Sequence, residues 1–132
     1  MKPIADVASL CRALGDPTRL RILGLLLAGE VCVCHIHESL KIPQPKASRH
    51  LAHLRRAGLV GTRRDRLWMH YRLVPLSASA RRVILEAVVH ALAQMEAVQR
   101  DAQRLRKRTR RRLPSSPPKF QRSTADLSPD FR

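Results

Sequence analysis

The chain has few aromatic and few acidic side chains. Of its 132 residues only 3% are aromatic, with one tryptophan, one tyrosine and two phenylalanines. A core must therefore be built from aliphatic side chains, and the length is sufficient for one domain. Only 10 acidic residues accompany 26 lysines and arginines, which gives a formal net charge of +16. This imbalance favours a nucleic acid or another anionic surface as the partner.

Long apolar segments are also missing. No stretch approaches the ~20 consecutive apolar residues of a membrane span, and residues 1–6 contain no apolar signal region. We therefore expect a cytoplasmic protein without a membrane segment. The three cysteines are too few and too unevenly spaced for a disulfide framework. In a reducing compartment this pattern favours metal binding or redox chemistry.

The first half of the chain is typical of short helices. Apolar spacing predicts helices over residues 4–14, 17–28, 32–40 and 44–57. Asp16 and Pro17 suit the N-cap and first position of the second helix, and Gly29 suits its end. The fourth helix should bury Ala47, Leu51 and Leu54. The last two helices, joined by residues 41–43, match a helix-turn-helix.

After Gly58 the period of the pattern changes. Residues 59–64 and 67–73 predict two strands, with the turn at Asp65-Arg66. A basic hairpin after a helix-turn-helix is typical of a wing. The predicted fold class is therefore mainly α with a small β-hairpin, a winged helix-turn-helix.

A single long helix is predicted from Ser77 to about Leu105. Its apolar residues recur in steps of three and four: Ala80, Ile84, Ala87, Ala91, Leu92, Met95, Val98, Ala102 and Leu105. So long a seam resembles a coiled coil and predicts a partner helix. We expect a homodimer through the terminal helices. The alternative is a long helix that folds back onto its own domain.

Residues 106–132 differ in composition from the rest. They carry nine basic and two acidic side chains, and Pro114, Pro117 and Pro118 prevent a regular helix. This composition is typical of a disordered segment. The predicted organisation is a winged helix-turn-helix and dimerisation domain over residues 1–105, followed by a basic tail over residues 106–132.

Polar side chains in the first turns of the fourth helix suit the major groove of DNA. Arg49 could reach a guanine edge, Gln44 or Ser48 a base or a phosphate, and Lys46 and His53 the sugar-phosphate backbone. Arginines of the wing would lie on phosphates or in the minor groove. The candidate DNA-binding residues are Gln44, Lys46, Ser48, Arg49, His50, His53, Arg63, Arg64 and Arg66.

Cys32 and Cys34 form a candidate thiol site one helix earlier. Soft thiolates select thiophilic metals and metalloids over hard cations. On a regular helix, residues two apart point roughly 200° away from each other. If both residues lie on the third helix, one ion could bind both thiols only by distorting that helix. Such a distortion would shift the recognition helix and couple the ion to DNA.

Two segments carry a family resemblance. Glu30-Val31-Cys32-Val33-Cys34-His35 resembles the arsenite-binding segment of the ArsR family of metal-responsive repressors, and residues 44–51 resemble its recognition helix. The resemblance covers about residues 9–100. It implies a homodimeric repressor of double-stranded operator DNA, released by As(III) or Sb(III).

The third ligand is where this sequence departs from the family pattern. The best-known members place a third cysteine where this chain has His37. Stable arsenite complexes use about three thiolates, so Cys11, from the same or the other subunit, is a candidate third ligand. Alternatively, His37 or water completes the site, which would suit Cd(II), Zn(II) or Pb(II).

Two other classes of function compete with a repressor. A thiol oxidoreductase using Cys32-Val33-Cys34 lacks a βαβ pattern around the pair, so we do not expect an enzyme. A general nucleic-acid-coating protein would explain the charge but not the adjacent thiols.

Overall fold

The computed structural model describes residues 2–109, which form six α-helices and three strands. In chain order these are α1 (Lys2–Leu14), α2 (Pro17–Leu25), a 3-10 turn (Leu26–Ala28), β1 (Val31–Cys32), α3 (Val33–Leu40), α4 (Gln44–Arg56), β2 (Val60–Asp65), β3 (Trp68–Leu73), α5 (Ala80–Ala93) and α6 (Glu96–Thr109). None of these helices is long and apolar enough to cross a membrane. Residues 106–109 of the predicted tail belong to α6, and residues 110–132 lie outside the described residues.

The start of α2 confirms the capping prediction. Asp16 Oδ2 accepts a hydrogen bond from the Arg19 amide at 3.0 Å, and Pro17 occupies the first turn, where no amide donor is needed. The helix tightens into the 3-10 turn and ends at Gly29, whose φ of 136° suits glycine. Local chemistry therefore fixes both ends of this central, buried helix.

The helix-turn-helix is also confirmed. After α3, Lys41 adopts a left-handed conformation, and its amide donates to the Glu38 and His37 carbonyls. Pro43 then starts α4. Ala47, Leu51 and Leu54 are fully buried, as their spacing predicts. Burial of this stripe leaves the opposite face of α4 towards solvent.

The wing is a three-stranded antiparallel sheet with the order β1-β3-β2, not a simple hairpin. Strand β3 pairs with β2 from Leu73 to Trp68 and, on its other edge, with the two residues of β1. Two residues are too short for an alternating pattern, so sequence periodicity could not predict β1. As a result α3 begins at Val33, and Cys32 lies in a strand.

The prediction of one long helix over residues 77–105 is wrong. The chain breaks at Gln94 and Met95, whose amides bond to the Ala91 and Leu92 carbonyls, and α6 folds back onto α2 and α3. Val98 packs so closely on α2 that a Cβ at Gly24 would lie 2.7 Å from its Cγ1. The C-terminal part of the apolar seam is therefore buried within the same chain.

A buried carboxylate ties α6 to the helix-turn-helix. Asp101 is 0% exposed and accepts from Arg21 Nε at 3.0 Å and Nη2 at 2.8 Å, and also from Arg104. The same guanidiniums donate to the Leu40 and Ser39 carbonyls at the end of α3. Removing one member would leave buried charge and open carbonyl acceptors, which is costly.

We predict that Asp101→Asn lowers the free energy of unfolding by about 1–3 kcal/mol, because two partly exposed guanidiniums lose a charged acceptor. Urea denaturation of the purified chain measures this change. Glu96→Gln is the matched control on the same helix, because the Glu96 side chain is 83% exposed and pairs with Arg100. Its effect should stay within about 0.5 kcal/mol. Equal effects of the two substitutions would contradict a specific role of Asp101.

Candidate DNA-binding surface and thiol site

The outer face of α4 presents most of the predicted groove residues. Gln44 and Arg49 are exposed, and Lys46 and Ser48 are half-buried, all within the first two turns. They lie away from the buried stripe that fixes the helix on the core. The structure therefore offers four of these side chains on one surface, while their contacts with bases or phosphates stay a prediction.

His50 has partners inside the protein. Its Nδ1 lies 3.3 Å from Arg19 Nη1 and 3.7 Å from Asp16 Oδ2, at the start of α2. Burial lowers the pKa of His50, although the Asp16 carboxylate opposes this shift. In this arrangement His50 holds α4 against α2, so the predicted DNA contact would require the ring to leave these partners. His53 is half-buried further along the helix, and burial and then Arg19 lower its pKa.

The three wing arginines are not equivalent. Arg64 and Arg66 are exposed, and Arg66 adopts a left-handed φ of 59° at the turn. Arg63 donates from Nε at 2.9 Å and from Nη2 at 2.7 Å to Glu30 Oε1. This hydrogen-bonded pair lowers the pKa of Glu30. Arg64 and Arg66 can therefore reach a phosphate without losing an internal ion pair, and Arg63 cannot.

Sequence reasoning missed two side chains at the tip of the wing. Leu67 is 87% exposed and Trp68 is 51% exposed, next to Arg66. The pattern analysis assigned Leu67 to the inner face of a strand, although it follows the predicted turn directly. Large exposed apolar groups beside cations are typical of an interaction surface.

The two thiols of the candidate site are in direct contact. Cys32 Sγ and Cys34 Sγ lie 2.8 Å apart, and Cys32 Sγ also accepts from the Cys34 amide at 3.4 Å. Cys32 is the N-cap of α3, in an extended conformation. The prediction that one ion must distort a helix to reach both thiols is therefore wrong, because only Cys34 lies on the helix.

The environment of the pair keeps Cys34 protonated at neutral pH. Burial, together with the hydrogen bond to Cys32 and its charge, raises the pKa of Cys34 to about 11. A thiophilic cation must displace protons to bind. The two sulfurs can hold one soft ion between them, since they point to the same side and are already adjacent.

No third ligand joins the pair within one chain. Among residues 2–109 no group of three or more histidine, cysteine, aspartate or glutamate side chains is placed to hold a metal ion. Cys11 is exposed on α1, which overturns a buried structural role for this thiol. His37 Nδ1 lies 3.2 Å from the Ile42 carbonyl oxygen, at the far end of α3.

The thiol pair and the wing belong to one sheet. Cys32 pairs with His70 across β1 and β3, and His70 pairs with Arg63 across β3 and β2. The Glu30–Arg63 ion pair spans the same strands from the residue before β1. A displacement of Cys32 is therefore transmitted directly to the backbone that carries the wing arginines.

Comparisons with known proteins agree with this architecture. The family model "Bacterial regulatory protein, arsR family" matches residues 16–62. The chain is 42% identical over 93 residues to the arsenic resistance transcriptional regulator ArsR1 of Pseudomonas putida, covering 69% of this chain and 72% of that protein. It is 49% identical over 80 residues to the arsenical resistance operon repressor of Escherichia coli, covering 59% and 68%.

A solved structure shows the same fold. The homodimeric winged helix-turn-helix DNA-binding domain of a possible ArsR-family regulator from Mycobacterium bovis superposes with a TM-score of 0.56 at 32% identity, over 70% of this chain and 82% of that one. These matches exclude the oxidoreductase alternative. The chain therefore belongs to the ArsR family and is a DNA-binding transcriptional repressor, not an enzyme.

Proposed function

We propose that this repressor is released from its operator when As(III) or Sb(III) binds to Cys32 and Cys34. The observation that supports this proposal most is the 2.8 Å contact between the two sulfurs. Soft thiolate donors suit thiophilic ions, and both relatives described above are named for arsenic or arsenical resistance. Cd(II), Zn(II) or Pb(II) is the alternative effector, since two thiolates with one weaker ligand also suit these cations.

Separation of the two sulfurs would provide the switch. Thiolates bound to one ion at about 2.3 Å lie roughly 3.5 Å apart, farther than the present contact. The ion would push Cys32 in β1 away from Cys34 in the first turn of α3. The movement of β1 would reach the wing through His70, and the movement of α3 would reach α4, which packs against it. A coupling of about 1–3 kcal/mol in favour of the DNA-free state is typical of an effector.

The operator-binding form is proposed to be a homodimer through α1 and α5. Ile4 of α1 is 63% exposed, and Val83 of α5 is 68% exposed. Ala87, Ala91 and Met95 follow Val83 in steps of four, and all three are exposed. The Mycobacterium bovis relative is homodimeric. In such a dimer the α4 helix and wing of each protomer would each bind one half-site.

Cys32→Ser and Cys34→Ser should each preserve operator binding and abolish release by arsenite. Serine suits the N-cap position of Cys32, so the fold should survive, while the soft ligand is lost. Fluorescence anisotropy of labelled operator DNA during an arsenite titration measures release.

Cys11→Ser identifies the third ligand in the same assay. Loss of release would indicate a three-thiolate site that uses Cys11, while normal release would turn attention to His37. If the Cys32 and Cys34 variants still respond to every ion tested, the sensing proposal is refuted.

The pH dependence should distinguish a cation from an oxyacid as ligand. The raised pKa of Cys34 means that its thiol stays protonated from pH 6 to 8. Cd(II) must release this proton, so its affinity should rise by up to about tenfold per pH unit for each proton displaced. Arsenous acid carries hydroxides that leave as water with the thiol protons, so its affinity should change little. Thiolate absorbance titrations at pH 6, 7 and 8 measure both slopes, and a flat Cd(II) slope would contradict protonated thiols.

The double substitution of glutamate for Ala91 and Met95 should dissociate the dimer, because it places four carboxylates in an apolar interface. Light scattering at micromolar concentration measures the mass, and operator affinity should fall together with it. Ala97→Glu is the control, because Ala97 is exposed on α6, away from the proposed interface. A wild-type chain that is monomeric under these conditions would disprove the proposed assembly.

A further inference from the structure

The cavity next to Cys32 is a feature that the thiol chemistry of inorganic arsenite does not use. It has a volume of about 130 Å³ and is lined by Glu30, Val31, Cys32, His35, His70, Leu105 and Thr109. Val31 and Leu105 supply apolar walls, and the two histidines supply flat ring surfaces. Apolar cavities of about 150 Å³ accept a benzene-sized molecule. The space beside the sulfur therefore fits a small organic group.

One wall of this cavity comes from α6. Leu105 and Thr109 lie outside residues 16–62, the segment that matches the family model. They are held in place by the contacts of Asp101 and Arg104 with α2 and α3. The cavity is therefore a product of the helix that folds back onto the thiol site.

The number of thiols points to the same class of ligand. Trivalent arsenic forms three bonds, and the described part of a single chain brings only two sulfurs together. Inorganic arsenite must find its third ligand elsewhere. An arsenical that already carries one carbon substituent has only two exchangeable hydroxides, so two adjacent thiols satisfy it completely.

We propose, on the basis of the function proposed above, that the site binds monosubstituted trivalent arsenicals, R–As(OH)₂, in which R is a small uncharged group such as methyl or phenyl. The two As–O bonds break, and two As–S bonds form to Cys32 and Cys34. Each hydroxide leaves as water with one thiol proton, and arsenic stays trivalent. The substituent R then occupies the cavity between Val31 and Leu105.

Calorimetric titration of the reduced full-length chain with three probes tests this proposal. The probes are arsenite, methylarsonous acid and phenylarsonous acid, and the Cys11→Ser background removes an additional thiol. We expect both organic probes to bind one per chain, at least tenfold more tightly than arsenite. Intact-mass spectrometry should show the mass of R–As(OH)₂ added and two waters lost.

Leu105→Phe tests the cavity itself by filling it. It should weaken binding of the phenyl probe at least tenfold and leave arsenite unchanged. Gln103→Phe is the matched control, because Gln103 is exposed on the same helix and does not line the cavity. Circular dichroism checks the fold, and Thr109→Phe fills the outer part of the cavity if Leu105→Phe unfolds the chain.

The outcomes separate this inference from the proposed function. Equal affinities for the three probes, with no effect of either cavity-filling variant, would overturn the inference while arsenite still releases the operator. If no probe reacts with Cys32 and Cys34, both the inference and the proposed thiol sensing fail.

Discussion

The pairing of β1 with β3 is the interaction on which the two functional surfaces depend. Two residues, Val31 and Cys32, join the edge of the wing sheet opposite Tyr71 and His70. This short pairing takes Cys32 out of the helix and lets it cap α3, with its sulfur against that of Cys34. It also makes the thiol site and the wing parts of one hydrogen-bonded unit. Without this strand the two cysteines would have no fixed geometry, and neither would their connection to the wing.

Local rules predicted the elements whose determinants lie within a few residues. Asp16 and Pro17 define the start of α2, and the spacing of Ala47, Leu51 and Leu54 defines the buried face of α4. The recognition helix and wing could thus be located from the sequence alone. The same holds for the identity of the thiol pair, although not for its geometry.

The features that could not be predicted depend on contacts between distant residues. The break at Gln94 contains no glycine or proline, and it is stabilised because Val98 packs on Gly24 and Asp101 binds Arg21. The period of α5 and α6 is that of one helix, so only the tertiary contacts distinguish a fold-back from a coiled coil. The inward position of His50 likewise depends on Asp16 and Arg19, which are more than 30 residues away in sequence.

Affinity for an effector and coupling to DNA have separate structural sources in this chain. Coupling comes from the backbone, because Cys32 and Cys34 lie at the junction of β1 and α3 and any change in their separation moves both elements. Ligand choice comes from what surrounds the sulfurs: the open third position and the cavity walls from α6. A substitution in α6 can therefore change which ligand binds without altering the strand and helix that transmit the signal. This separation lets one winged helix-turn-helix serve different thiophilic ligands with the same DNA-binding surface.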